Sequence, residues 1–202
     1  MPSQDPEQSG KVRIVKATIQ LLHEKGAAAT TTDRVAAAAG CAKGLVHYHF
    51  GTKSALWTAV IGTLAERRRN RWSKAFTGRK WAVTDTWKIV LEDREDGIVK
   101  LIASIIGQDR ETDDAISQTT QQFGHTMTDA VRRFLERMDM EPGVPIEQLG
   151  WSLSSVLYGT IVQLDAGAPA EILADAWAAA WLGVLSSGNP RPPQRPRRKR
   201  RR

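Results

Sequence analysis

Residues 43–50 hold the side chains of the N-terminal third that are best suited to recognition chemistry. They read Lys-Gly-Leu-Val-His-Tyr-His-Phe. On a helix, with about 100° between successive residues, Val46 and Phe50 fall on one side and Gly44 and Tyr48 on the opposite side. Glycine lets a partner approach closely, and a tyrosine can donate to a phosphate or pack on a thymine methyl group. The Gly44–Tyr48 side therefore predicts a nucleic-acid contact.

The remaining residues of this segment differ in what they predict. Lys43 lies in the first turn, where its ammonium group could reach a base edge or a phosphate. Leu45 and His47 flank the Gly-Tyr side of the helix. His49 falls toward the buried flank, where a structural hydrogen bond and a DNA contact both stay open.

The titratable residues give no support to an enzyme or a metal site. His47 and His49 lie about 200° apart on a helix, so their rings cannot readily share a metal ion. The other two histidines have no cysteine or clustered carboxylate at ligand spacing, and there is no glycine-rich loop suited to phosphate binding. Asp93, Glu95 and Asp96, at a predicted helix junction, are interpreted as a solvated break. We therefore expect no catalytic activity, metal or cofactor.

Apolar residues at helical spacing predict an all-α fold with about nine helices. Gly26, Gly40 and Gly51 each end a predicted helix. No stretch alternates with a period of two between turn residues, so no strand is expected. The predicted helices span residues 11–25, 33–39, 42–50, 53–74, 83–94, 96–106, 112–138, 146–164 and 169–186.

Charge is unevenly distributed along the chain, whose formal net charge is +7. Residues 1–60 carry seven Lys or Arg against four Asp or Glu, whereas residues 81–190 carry seven against seventeen. The basic N-terminal part indicates a polyanionic partner, although basic residues that only solvate helix faces would explain it about equally well. Residues 191–202 carry eight basic and no acidic side chains, and such a tail would either add salt-sensitive affinity for DNA or be inert.

A second basic run, Arg-Arg-Arg-Asn-Arg, occupies residues 67–71. Its first arginine lies 14 positions past Lys53, about 21 Å along a helix, which is too far for the same DNA contact. We expect these arginines to form a solvated face that pairs with acidic neighbours such as Asp93 or Asp96.

The composition is typical of a folded, soluble protein, with 41% hydrophobic and 25% charged residues. No apolar run reaches the roughly 18 residues of a membrane span, so no membrane contact is expected. The polar N-terminus does not resemble a secretory signal. Cys41, the single cysteine, cannot form an internal disulfide and is expected to be a small buried plug. These features favour a cytoplasmic location.

Residues 31–56 predict two short helices joined by a tight turn at Gly40, the unit that places its second helix in the major groove of DNA. Within them, the stretch AAAAGCAKGLVHYHFGTKSAL resembles the signature that closes the DNA-binding domain of the TetR family of bacterial transcriptional regulators. The resemblance covers about residues 9–57.

The resemblance implies particular DNA contacts. It makes Thr31 and Thr32 the phosphate-contacting start of the first short helix, and Lys43 and Gly44 the groove-facing start of the second. It makes Lys53 a phosphate clamp at the beginning of the following helix.

Two residues depart from the family pattern. Leu45 stands where the family usually has threonine, and His47 where it usually has tyrosine. Both usual residues contact phosphate, so Tyr48 or His47 itself would have to replace those contacts.

The resemblance also implies a ligand-responsive repressor that acts as a homodimer on an inverted-repeat operator and is released by a small-molecule inducer. The family dimerises through its last two long helices, and apolar stripes on residues 146–164 and 169–186 allow this, although the same stripes could be ordinary core within the chain. The candidate interface residues are Val156, Ile161, Leu173, Trp177 and Trp181.

Candidate ligand-binding residues come from the helices that surround the family's pocket. Aromatic side chains with a few polar groups would suit a small ligand, although each of them alone is more typical of plain core. The candidates are Trp87, Phe123, His125, Met127, Trp151 and Tyr158.

The predicted organisation has four parts: a flexible N-terminus (1–10), a helix-turn-helix domain (11–57), a helical ligand-binding and dimerisation domain (58–188) and a disordered Arg-rich tail (189–202). Two functions other than an enzyme are alternatives to the regulator. A non-specific DNA binder driven by the tail would discriminate poorly between an inverted repeat and random DNA. A helical protein-interaction module would not bind DNA at all.

Overall fold

The computed structural model describes residues 6–76 and 83–191. Within them the chain forms nine helices and two short strands, so the all-α prediction is confirmed. The elements are α1 Pro6–Ala29, α2 Thr32–Ala38, α3 Lys43–Phe50, α4 Lys53–Ala75, α5 Val83–Asp96, α6 Ile98–Ile105, α7 Arg110–Arg137, β1 Met140–Pro142, α8 Ile146–Asp165, α9 Ala170–Ser186 and β2 Gly188–Pro190.

The first helix begins earlier than its sequence pattern predicts. It starts at Pro6 rather than at residue 11, and Gly10 is already buried, so the predicted flexible unit 1–10 is wrong for residues 6–10. A buried glycine carries no periodic apolar signal, which is why the pattern missed this turn. Gly26 breaks the helix as predicted, with a φ of 76°.

The turn between α2 and α3 ends α2 with a Schellman motif. The backbone N–H of Cys41 donates to the carbonyl of Ala36, and that of Gly40 to the carbonyl of Ala37, which satisfies two carbonyls at the end of the helix. Gly40 has a φ of 60°, a left-handed conformation that glycine adopts without strain. Cys41 is half-buried against the core, as its small apolar side chain predicts.

Thr52 caps α4 directly after the second helix of the motif. Its hydroxyl oxygen accepts a hydrogen bond from the backbone N–H of Ala55 at 3.0 Å. Because Thr52→Ala removes this acceptor, we expect the free energy of unfolding to fall by about 1 kcal/mol, measured by urea denaturation. Thr63→Ala is the control, since its hydroxyl bonds only within α4; an equal loss there would contradict the capping role.

Helices α4 and α7 lie side by side and run in the same direction. Near their first turns, a hydrogen bond joins Ser54 to Asp109, and farther along, Arg69 donates to Gln122 at 2.7 Å. Helix α7 also packs against α8. The predicted domain boundary between residues 57 and 58 falls inside α4, which continues unbroken past residue 58 to Ala75.

A cluster of aromatic rings fills the core between α4, α7 and α9. Trp72 lies at its centre, with ring centroids 5.8 Å from Trp177 and 6.4 Å from Phe123. Trp181 continues the cluster and packs edge-on against Phe134 at 5.0 Å. The indole N–H of Trp177 donates to the hydroxyl of Thr86 on α5, so this large side chain is buried without an unsatisfied polar group.

The two strands correct the prediction that no strand is present. Gly188 to Pro190 pair antiparallel with Met140 to Pro142, and the N–H of Arg191 donates to the carbonyl of Asp139. The pairing depends on backbone hydrogen bonds over three residues, too short a stretch to show a period of two. The predicted disordered tail is therefore wrong for residues 189 and 190, and its remainder, 192–202, lies outside the described residues.

Candidate nucleic-acid interface

The second helix of the motif, α3, presents the predicted side to solvent. Val46 is buried, while Gly44, His47 and Tyr48 are exposed, Tyr48 to 70%. A Cβ atom added to Gly44 would meet no described heavy atom within 4 Å. This surface is therefore open along its length, as contact with a groove requires.

Leu45 and His49 are turned toward the protein rather than toward a partner. Leu45 is half-buried against the core. His49 packs against α1, where a Cβ added to Gly10 would lie 2.9 Å from its Nε2 atom. This contact favours a structural role for His49 over a DNA contact. Of the predicted DNA-contacting residues, Leu45 and His49 are the least suited to reach DNA.

The other predicted DNA-contacting residues lie at the starts of α2, α3 and α4. Thr31 caps α2, with its hydroxyl near the N–H of Arg34 at 3.4 Å, and Thr32 is the first helical residue. Lys43 forms an exposed ion pair with Asp33 at 2.9 Å. Such a pair between exposed side chains contributes little stability, so Lys43 can leave Asp33 for a phosphate at small cost.

Lys53 lies at the first position of α4 and is exposed. Its ammonium group stands 5.7 Å from the centre of the Trp57 ring, a cation–π contact that orients the side chain. A positive charge is thereby held at the α3–α4 junction, next to the exposed side of α3.

The basic run at residues 67–71 is not the solvated face that its charge predicts. Arg68 and Arg71 do pair with Asp93, as expected, but Arg68 is only 1% exposed and Asp93 is fully buried. Asp93 accepts from Nε of Arg68 and from the indole N–H of Trp72. The interpretation of Asp93 as part of a solvated break is therefore wrong.

Arg71 completes this buried network. Burial disfavours its charge, but hydrogen bonds and attraction to Asp93 and Asp96 outweigh the burial and raise the pKa of Arg71 above its ordinary value. The sequence held a signal for the network: Leu64, Arg68 and Trp72 follow one helical stripe of buried positions in α4, so periodicity places Arg68 in the core although its charge does not.

The structure divides the candidate ligand-binding residues. Phe123 and Tyr158 meet at right angles with ring centroids 6.3 Å apart, and Met127 is fully buried nearby in α7. His125 on α7 and Trp151 on α8 are exposed and are wrong as walls of an enclosed pocket, because their helices turn them toward solvent. Trp87 is half-buried.

Four of the five candidate interface residues are wrong. Ile161, Leu173, Trp177 and Trp181 are buried in the chain's own core, and Val156 alone is exposed. Helices α8 and α9 each have two faces, and the larger side chains pack inward. The opposite face, here called the outer face, is made of small and apolar residues that are exposed except for half-buried Gly159: Ser152, Val156, Gly159 and Val162 on α8, and Ile172, Ala176, Ala179 and Leu182 on α9.

The described residues hold no group of three or more side chains able to ligate a metal. None of the helices in residues 6–76 and 83–191 is sufficiently long and apolar to traverse a bilayer.

The geometry defines the class of this protein. Two short helices joined by a glycine turn, with the Gly44–Tyr48 side of the second helix exposed, form a helix-turn-helix DNA-binding domain. Residues 14–60 match the family model described as bacterial regulatory proteins, tetR family. Residues 14–60 therefore carry a DNA-binding domain of the TetR type, and the resemblance seen in the sequence is confirmed for this domain.

Solved structures share the fold over nearly the whole chain. A TetR transcription regulator from Haloarcula marismortui aligns with a TM-score of 0.73 and 19% identity over 90% of this chain and 99% of that one. A TetR transcriptional regulator from Chloroflexus aurantiacus gives 0.72 and 19% over 91% and 98%. A transcriptional regulator from Rhodococcus sp. Rha1 gives 0.72 and 16% over 90% and 99%. No curated protein matches.

Proposed function

We propose that this chain is a transcriptional repressor that binds an inverted-repeat operator as a homodimer and leaves it when a small molecule binds its second domain. The observation that carries the proposal is the exposed Gly44–Tyr48 side of α3. Val46 anchors that helix in the core, while Gly44 and Tyr48 have the size and hydrogen-bonding capacity for a DNA groove. The TetR-type domain at residues 14–60 supports DNA-binding regulation of transcription.

The outer face of α8 and α9 supports the homodimer. Ile172 is 66% and Leu182 is 61% exposed. A partner that covers such side chains removes apolar surface from water, which lowers the free energy of the complex. Two helices from each protomer would form a four-helix bundle. A dimer also explains how one short helix yields specificity, because two copies can read half-sites about 34–36 Å apart.

The proposed division of labour follows the predicted organisation, with DNA binding in residues 11–57 and ligand binding and dimerisation in residues 58–188. Repression would act by occupying a promoter in the cytoplasm. The inducer would favour a dimer in which the distance between the two α3 helices no longer matches the spacing of the operator half-sites.

Selection of duplexes from a random library by the purified full chain would identify the operator. Tyr48→Ala is then expected to weaken operator binding about tenfold or more, because a groove or phosphate contact of 1.4 kcal/mol corresponds to that factor. Fluorescence anisotropy with a labelled duplex would measure the affinity. The melting temperature should stay unchanged, since the side chain is mostly exposed.

Val144→Ala provides the matched control, because Val144 is an exposed apolar residue in the α7–α8 loop, away from α3. It should leave operator affinity unchanged. Selection that enriches no sequence, or a Tyr48→Ala variant that binds as tightly as the original chain, would contradict the proposed function.

A further inference from the structure

Arg68 is a buried cation that leaves four of its five guanidinium N–H donors without an acceptor among the described residues. Its guanidinium carbon stands 3.6 Å from the centre of the Phe123 ring and 4.6 Å from that of Tyr158. Within residues 6–76 and 83–191, Nε alone has an acceptor, in Asp93. Nη1 and Nη2 are buried and have no hydrogen-bond partner among the described residues. The buried hydroxyl of Tyr158 likewise has none among them.

Arg71, the second arginine of the network, differs from Arg68 because all three of its guanidinium nitrogens donate hydrogen bonds. Its Nε and Nη2 atoms donate to Asp93, and Nη1 donates to Asp96. Asp93 is thus shared by two arginines. Of these two, Arg71 forms hydrogen bonds through its outer edge, the terminal nitrogens Nη1 and Nη2, and Arg68 does not. Buried polar groups in native proteins are almost always paired, and an unpaired buried donor is expensive, so the outer edge of Arg68 calls for a partner.

The chemistry of that edge specifies the partner. Nη1 and Nη2 form a planar fork whose two parallel N–H groups match the two oxygens of a carboxylate. The rings of Phe123 and Tyr158 border the fork with apolar, flat surfaces, which favour an aromatic body on the ligand. We propose that Arg68 anchors the carboxylate of a small aromatic acid, and that this acid is the inducer. The proposal rests on the ligand response proposed above.

A continuous set of hydrogen bonds leads from this position to the DNA-binding domain. Arg68 and Arg71 share Asp93, and Arg71 binds the side chain of Asp96. The backbone carbonyl of Asp96 accepts from Nε2 of His23 on α1 at 2.9 Å. A ligand that shifts Arg68 would therefore alter hydrogen bonds that extend to His23 on α1. Helices α2 and α3 pack on this same helix.

The first experiment measures binding of benzoate, salicylate and phenylacetate to the full chain by isothermal titration calorimetry, with benzamide as the neutral counterpart. At least one acid is expected to bind, and benzamide is not. Arg68→Lys keeps the charge beside Asp93 but loses the fork, so it should weaken that binding about ten- to hundredfold. Tyr158→Phe should weaken it less.

Arg69→Lys is the matched control, because it makes the same chemical change on the neighbouring residue, which bonds to Gln122 instead. It should leave acid binding unchanged. Asp93 keeps Arg71 and Trp72 as partners in Arg68→Lys, and the melting temperature checks that this variant is folded. Absence of binding by all three acids, equal binding of benzamide, or unchanged binding in Arg68→Lys would each overturn the site.

The second experiment measures the effect of the bound acid on operator affinity. The acid should weaken operator binding by the original chain. His23→Ala, which removes an exposed side chain at the far end of the network, should still bind the acid but lose most of this response. A full response in His23→Ala would overturn the route through Asp96. Acid binding that leaves operator affinity unchanged would overturn the inducer role, and acid binding by a chain that ignores all duplexes would refute the proposed function alone.

Discussion

Replacing Asp93 with alanine is expected to lower the free energy of unfolding by about 3–5 kcal/mol, because removing one partner of a buried ion pair leaves the other charge uncompensated. Asp93 is fully buried and accepts hydrogen bonds from Arg68, Arg71 and Trp72. Its loss would leave Arg68 and the indole N–H of Trp72 without their acceptor, while Arg71 would keep Asp96. Urea denaturation at a fixed protomer concentration would measure the effect.

Asp165→Ala serves as the control for this prediction. Asp165 pairs with Arg94 at 2.8 Å, but both side chains are partly exposed, so the loss should stay within about 1 kcal/mol. Exchange of the buried pair for apolar residues, in Arg68→Met with Asp93→Leu, should recover much of the stability. A loss below 1 kcal/mol in Asp93→Ala would show that the network does not hold α4 to α5.

The second large effect is expected for Gly159→Arg, which should convert a dimer into a monomer. Gly159 lies at the centre of the outer face of α8, and a Cβ atom added there would meet no described heavy atom within 4 Å. The substitution therefore fits the single chain, where it should raise helix stability, but it places a charged side chain in the proposed interface. Operator affinity should fall about 10²-fold, since each monomer reads one half-site.

Gly62→Arg makes the same change on the exposed side of α4, where an added Cβ is equally unobstructed. It should leave the dimer intact. Analytical ultracentrifugation would report the oligomeric state of both variants. A Gly159→Arg protein that stays dimeric would exclude the outer face as the interface, whereas a monomeric original chain would exclude the homodimer itself.

The recognition unit was predictable from the sequence because it depends on local rules. Gly40 and Gly51 end helices by their backbone conformation, and the 3.6-residue period sorts Val46 from Gly44 and Tyr48 without knowledge of the rest of the chain. Helices α5 to α9 begin and end within a few residues of their predicted positions for the same reason.

The second half of the chain was less predictable because its side chains are sorted by tertiary contacts. The spacing of Trp177 and Trp181 predicts a surface stripe that a partner would cover, but both side chains pack in the core, in the aromatic cluster around Trp72. Arg68 reads as a solvated charge, yet Asp93 on another helix supplies its counterion. Periodicity identifies which face is buried, but not whether the same chain or a second one buries it.

The strand pair β1–β2 sets the distance between Arg191 and the DNA-binding domain. It fixes Arg191 beside the residues that follow α7, and the 28 residues of α7 extend about 42 Å away from the first turn of α4. Arg191 therefore lies roughly the length of α7 away from the start of α4, too far to contact the same phosphate as Lys53.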